Sequence, residues 1–183
     1  MALGIEPVEL TVGGLLLRPP DARDAADALA MVTDPESAVW NPAPAIVDVE
    51  TARDWCKGLS DWSSGDHATF SVLDADSGRL LGNVSLHKID PDQSIAEMGY
   101  RVGPWARGRG VGTASVRVVT DWAFARLGLH RVQLYHAVAN VASCRVATKA
   151  GYLNEATLRS AAVYGDGRRH DEHLHGRLKE DDR

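Results

Sequence analysis

The sequence predicts a single α+β domain over residues 1–183, a mixed and mostly antiparallel central sheet flanked by helices. Three observations lead there. The apolar runs Ala68–Asp74 and Arg79–Lys88 flank the turn Asp74-Ala75-Asp76-Ser77-Gly78 like the arms of a hairpin. A strand over 95–102 runs through a glycine-rich loop into an amphipathic helix that starts near Thr113. That helix carries Val116, Val119, Ala123 and Leu127 at helical spacing, stops at Gly128 as a C-cap glycine allows, and is followed by an alternating strand over 131–138.

The remaining elements follow in order. Residues 13–18 read as a first strand. Asp21 opens a helix to about Thr33 and Asp48 another to about Trp62, because an aspartate side chain can accept from the unpaired N–H groups of a first turn. The link from Asp34 to Val47 holds three prolines and is expected to be irregular. Asn140-Val141-Ala142-Ser143 opens a helix that ends at Ala150-Gly151-Tyr152. Two strands, about Asn154 to Tyr164 and His170 to Leu178, are joined through Gly165-Asp166-Gly167.

Composition narrows the function. A chain of 183 residues buries roughly 70% of its unfolded surface, enough for a full core. The two cysteines, Cys56 and Cys144, lack C-x-x-C spacing, so neither a disulfide framework nor a cysteine-based zinc site is expected. Met1 to Thr11 has no basic start and carries Glu6 and Glu9, unlike a signal peptide, and no run reaches the roughly 18 apolar residues of a membrane span. A cytoplasmic protein without membrane contact is expected, as a monomer or homodimer. The net charge of −5 argues against nucleic acid as the partner and suits a basic substrate.

The loop Arg107-Gly108-Arg109-Gly110-Val111-Gly112 is the place to look for function. A glycine-rich turn before a helix offers unpaired backbone N–H groups and the positive end of a helix dipole, which suit a phosphate-bearing ligand. It is not a Walker loop, because Gly112-Thr113-Ala114 lacks the lysine that reaches the outer phosphates. Nor is it a dinucleotide fingerprint, since Gly108, Gly110 and Gly112 fall one residue short of G-x-G-x-x-G and lie past mid-chain. The frame that fits is Arg-x-x-Gly-x-Gly over Arg107, Gly110 and Gly112.

This loop, followed about thirty residues later by Asn140-x-x-Ser143 and the Gly151-Tyr152 helix end, resembles the Gcn5-related N-acetyltransferase (GNAT) superfamily. Leu15-Leu16-Leu17-Arg18-Pro19 with Asp21-Ala22-Arg23-Asp24, Glu97-Met98-Gly99-Tyr100, and Leu158-Arg159 with Asp171 look like the ribosomal-protein N-terminal acetyltransferase (RimJ/RimL-like) branch. The resemblance implies a sheet splayed in the middle around acetyl-CoA, and direct attack of an amine on its thioester. The acceptor would be a protein N-terminal α-amine or a small-molecule or antibiotic amine. A catalytically silent acetyl-CoA sensor or an interaction protein is the alternative.

Four tasks then need residues. By resemblance, the backbone of Arg107, Gly108, Arg109, Gly110, Val111, Gly112 and Thr113 holds the pyrophosphate, with glycine where the chain turns tightly or a phosphate comes too close for a Cβ. The side chains of Arg107 and Arg109 either add charge or form a solvated basic rim. The pantetheine arm would add to the edge of Tyr100, Arg101 and Val102, and Asn140 would bond one of its amides or else merely stand at a helix start. The acid that protonates the thiolate is missing from its usual place, where Ala147 stands. Ser143 is the substitute the branch suggests, its plain reading being a helix-opening serine; Tyr135 and Tyr152 are further candidates.

The last task is the amine's proton. An α-amine with a pKa of about 7.8 is roughly a quarter neutral near pH 7.4, a lysine amine near 10.4 only about 0.1%. Glu97 is placed either as a base acting through water or as a carboxylate that binds the substrate cation. His136 is either a base near the acceptor or a partly buried filler, and Trp40 is placed in the acceptor pocket. Trp55, Trp62 and Trp122 read as core. His170, His173 and His175 lack helical zinc spacing, and on a strand only His173 and His175 share a face, so no metal is expected.

Overall fold

The computed structural model describes residues 4–43 and 45–181; Met1 and Pro44, used in the reading above, lie outside them. The chain folds as β1 (Leu10–Val12), β2 (Leu15–Arg18), α1 (Ala25–Val32), α2 (Pro35–Trp40), α3 (Val49–Leu59), β3 (Ala68–Asp74), β4 (Leu80–Asp90), β5 (Ile95–Val102), α4 (Val111–Arg126), β6 (Arg131–Ala137), α5 (Val141–Lys149), β7 (Leu153–Val163) and β8 (Arg169–Leu178). Its eight strands form one sheet in the order β1-β2-β3-β4-β5-β6-β8-β7. β5 and β6 run parallel and the other described neighbours antiparallel. No helix among the described residues is long and apolar enough to cross a membrane.

The central strands are covered on both faces. β3 is buried at six successive positions rather than alternately, as a strand must be when helices lie above and below it. One face packs on α4 through Val116, Val119 and Trp122, with Trp62, Phe70 and Trp122 in edge-to-face contact at 4.8–5.4 Å. The other packs Leu73 and Leu80 against Ala28, Met31 and Cys56 of α1 and α3.

Three readings differ from the structure. The strand expected to open the fold at 13–18 is preceded by β1 and begins at Leu15, because residues 13 and 14 form the turn between the two. Asp21 does cap, but it caps a 3-10 turn over Ala22–Asp24 that precedes α1, held by a reciprocal bond with Asp24. The link 34–47 is not wholly irregular, because Asp34 accepts from the Ser37 amide and Pro35 occupies the first helical position of α2. Those are ordinary helix-start signals, outweighed in the sequence by the prolines beyond them. Local capping won over local composition.

Candidate active site

The sheet splits where the resemblance implies. β5 pairs with β6 at Ile95, Ala96 and Glu97, opposite Arg131, Val132 and Gln133, and the two strands then part. The wedge between Met98–Val102 and Leu134–Ala137 opens a cavity of about 570 Å³. The start of α4, the start of α5, α2 and Tyr164 line the rest of it.

The start of α4 leaves its first-turn amides without a cap. Gly110 stands at its N-cap with φ +79°, and no side chain caps the 16-residue helix. The amides of Gly110, Val111, Gly112 and Thr113 therefore have no carbonyl behind them in the helix. Gly108 and Gly110 are the positions where the chain turns through positive φ, each with open space where a Cβ would stand. Gly112 is a glycine for another reason. A Cβ there would come within 3.2 Å of the Tyr100 ring and 3.3 Å of Val102, so it permits α4 to lie close on β5.

The arginines of the loop are differently employed. Arg107 lines the cavity but its guanidinium pairs with Asp34, Glu36 and Ser37, which ties the loop to α2. Arg109 is exposed, 3.9 Å from Asp74, and does not line the cavity. Arg145 and Lys149, one helical turn apart on α5, do line it and are exposed. They were missed because an i, i+4 pair of cations on a helix is an ordinary solvated face until tertiary packing turns that face toward a cavity. The Arg101 guanidinium lies buried over Trp55 and donates to the Asn41 carbonyl, away from the loop. Burial draws it down to about 10, so it stays charged at neutral pH.

On α5, Asn140 is the N-cap, its side-chain oxygen accepting from the Ser143 amide at 3.0 Å. Its capping role is thus present, and its amide nitrogen is not consumed by that bond. Ser143 is 7% exposed, and its hydroxyl accepts from the Tyr100 hydroxyl at 3.1 Å. Burial raises Tyr100 to about 12, which keeps it protonated as a donor. This hydroxyl chain was not legible in the sequence, because the two residues are 43 positions apart. Of the other tyrosines, Tyr152 is buried on Thr120, away from the cavity, whereas Tyr135 lines it. On β5 the Tyr100 carbonyl accepts from the Asn41 side chain at 3.2 Å, so part of the strand edge already has a partner.

Glu97 is not alone. A bulge in β4 places an extra residue opposite β5 between His87 and Asp90, with Lys88 at φ +51°. In a regular strand residues 87 and 88 would face opposite ways. The bulge brings both to Glu97, with Lys88 Nζ at 3.0 Å and His87 Nε2 at 3.4 Å. The His87 ring rests over Gly99, where a Cβ would meet it at 3.1 Å. Burial holds His87 below its ordinary 6.5 despite the neighbouring carboxylate, so it is neutral at pH 7. Pairing across the turn that follows Asp90 was the signal that could have found it.

Trp40 stacks edge-on with Tyr164 at 5.8 Å and His170 at 5.6 Å, closing the cavity on the side away from α4. The Gly165 amide donates to the Val39 carbonyl at 2.9 Å, docking the β7–β8 turn on α2. A Cβ at Gly165 would fall on the Ala38 carbonyl. Gly165→Ala is therefore expected to unseat this turn and raise the acceptor KM several-fold while the acetyl-CoA KM stays put; equal effects on both substrates would deny the turn its place on the acceptor side. His136 lines the cavity but is 4% exposed, its Nδ1 donating to the Ala137 carbonyl at 2.8 Å.

Residues 14–153 match the acetyltransferase (GNAT) domain, and the chain belongs to that family. It is 32% identical over 164 residues to the "Putative ribosomal N-acetyltransferase YdaF" of Bacillus subtilis (strain 168), with 85% of each chain covered. To the "Uncharacterized N-acetyltransferase p20" of Bacillus licheniformis it is 27% identical, over 79% of this chain and 82% of the relative. Among solved structures, the ribosomal-protein-S5-alanine acetyltransferase from Vibrio fischeri superposes with a TM-score of 0.83 at 21% identity, covering 95% of this chain and 98% of that one. These names match the RimJ/RimL-like branch.

Proposed function

We propose that the protein moves the acetyl group of acetyl-CoA to amines that lose their proton near neutrality, protein N-terminal α-amines foremost. The observation that carries this reading is the His87–Glu97 pair, lining the same cavity as the Tyr100–Ser143 hydroxyls and the open start of α4. The ribosomal name of the Bacillus subtilis relative supports the acceptor class.

In this reading the amides of Gly110–Thr113 take the pyrophosphate, and Arg145 and Lys149 supply the side-chain charge expected of Arg107 and Arg109. The fit rests on the uncapped first turn and the vacant Cβ positions of Gly108 and Gly110. The Tyr100 amide faces the wedge with its carbonyl and polarises the thioester oxygen. Val102 and the Asn140 side-chain amide seat the arm. Glu97 holds the acceptor's cation beside Trp40, and His87 receives its proton. As the amine nitrogen bonds to the carbonyl carbon and the C–S bond breaks, the sulfur takes the Ser143 proton; Tyr100 steadies the serine oxygen with its hydrogen bond, and the serine recovers its proton from water in the cavity. His136 forms part of the acceptor wall.

An amine panel with acetyl-CoA and free thiol as readout tests this. Release of thiol with short N-terminal peptides, in preference to lysine side chains, is the expected result. Small-molecule amines as the sole acceptors would overturn the acceptor class, and binding without thiol release would leave a sensor. Glu97→Gln is expected to raise the acceptor KM far more than that of acetyl-CoA, and His87→Gln to lower kcat by about 10²-fold. Because burial depresses His87, its limb in the pH–rate profile lies below 6.5. The limb above pH 7 should move with the acceptor amine; a limb that ignores the acceptor would refute the assignment of the proton.

A further inference from the structure

Between α5 and the sheet, reaching the cavity only at His136, the structure collects His136, Cys144, His173 and His175, with one ligand atom from each lying within 4.8 Å of the others. The register explains the convergence. His136 of β6 stands directly opposite His173 of β8, so both point to one face, and His175 shares that face two residues on. Cys144 comes down on the same face from the first turns of α5. The three imidazoles are in mutual ring contact at 5.1–5.9 Å.

The polar atoms of this cluster are not satisfied. His136 and His175 are 4% and 0% exposed. His136 Nε2 and His173 Nδ1 are buried without a hydrogen-bond partner among the described residues, and His175 turns its Nε2 toward Cys144 Sγ at 3.9 Å. Orphaned buried nitrogens are rare and call for an occupant. The tautomer of His136 is settled by its neighbour: a carbonyl can only accept, so Nδ1 carries the hydrogen and Nε2 keeps its lone pair. An imidazole oriented by a carbonyl on its far nitrogen is how metal-binding histidines are held.

We infer that His136, Cys144, His173 and His175 form a zinc site that fastens the start of α5 to the sheet. One thiolate and three neutral imidazoles complete a closed tetrahedral set, the pattern of a structural site with no open position. Zinc bonds of about 2.0–2.3 Å put ligand atoms about 3.3–3.6 Å apart. Cys144 Sγ and His175 Nε2 are already 3.9 Å apart, so the set contracts by about 1 Å at its longest edge. Cys144 and His173, the two less buried members, are placed to make that adjustment. Ser143 precedes Cys144, so an occupied site would hold the proposed acid in place. The sequence argued against a metal because it offered two histidines on one strand face; β6 and α5 supply the other two ligands.

The test uses the tag-free full chain, stripped with chelator and titrated with zinc or cobalt alone. One equivalent of cobalt is expected to give tetrahedral d–d bands with a thiolate charge-transfer band, and zinc to displace it. At free zinc a hundredfold above Kd, Tm should rise by about 5–10 °C. Cys144→Ser should lose the charge-transfer band. His173→Gln should weaken zinc by at least the about 10–100-fold that loss of an outer partner costs. Each variant's metal-free Tm reports its folding, and either one suffices for the comparison. No uptake, an octahedral cobalt spectrum without charge transfer, or affinity unchanged in a folded variant would overturn the site.

Discussion

Ser143→Ala is expected to lower kcat by about 10²-fold with little change in acetyl-CoA affinity, since a positioned general acid contributes about 10²–10⁴. The arrangement of hydroxyls sharpens the test. Tyr100 is protonated and donates to Ser143 Oγ at 3.1 Å, so the serine proton is free to point at the departing sulfur. Tyr100→Phe should lose less, because water can take the place of its hydrogen bond. The double variant should lose little more than Ser143→Ala, as members of one chain are not additive. The serine variant leaves the half-buried Tyr100 hydroxyl to water from the cavity, so its cost in stability should stay at about 0.5–1.5 kcal/mol, that of one hydrogen bond. Wild-type kcat in Ser143→Ala would return this residue to a structural role, its amide closing the Asn140 cap.

Gly110→Val should raise the Kd for acetyl-CoA by about 10²-fold or more, because it places a branched side chain where the first-turn amides converge on an anion. At φ +79° the substitution also strains the backbone, by about 1–3 kcal/mol. Gly128→Val separates the two effects. It sits past the other end of α4 at φ +69° with equally open surroundings, so it carries the backbone strain without touching the anion site. The expected result is a lowered Tm in both variants and lost binding in Gly110→Val alone. Equal acetyl-CoA affinity in the two would refute the assignment of the loop. Gly112 answers a different question, since its Cβ would press on Tyr100 and Val102 rather than reach the anion.

Much of the site could be read along the chain. Glycines 108 and 110 announce a turn wherever they occur, and their step into an amphipathic run marks an exposed helix start. Asn140 and Ser143 share one helix opening. Each of these is a matter of a few neighbouring residues. The partners of the charged side chains beside the loop could not be read in the same way. Arg107 and Arg109 are adjacent to the glycines in sequence, yet Asp34, Glu36 and Asp74 claim them from other elements.

What the sequence by itself determined was therefore the local grammar: hairpin, glycine turn, helix starts and stops, and through them the fold class and the family. Hydrophobic periodicity and backbone conformation are short-range properties, so they survive without knowledge of the neighbours. Only the tertiary structure decided who meets whom. The β4 bulge turned His87 and Lys88 together onto Glu97, and the packing of α5 and α4 on the parted strands put Ser143 on Tyr100. The β6–β8 register gathered three histidines under Cys144. A one-residue shift in any of those registers would send the same side chains to the opposite face, and strand spacing alone carries no record of the register that was chosen.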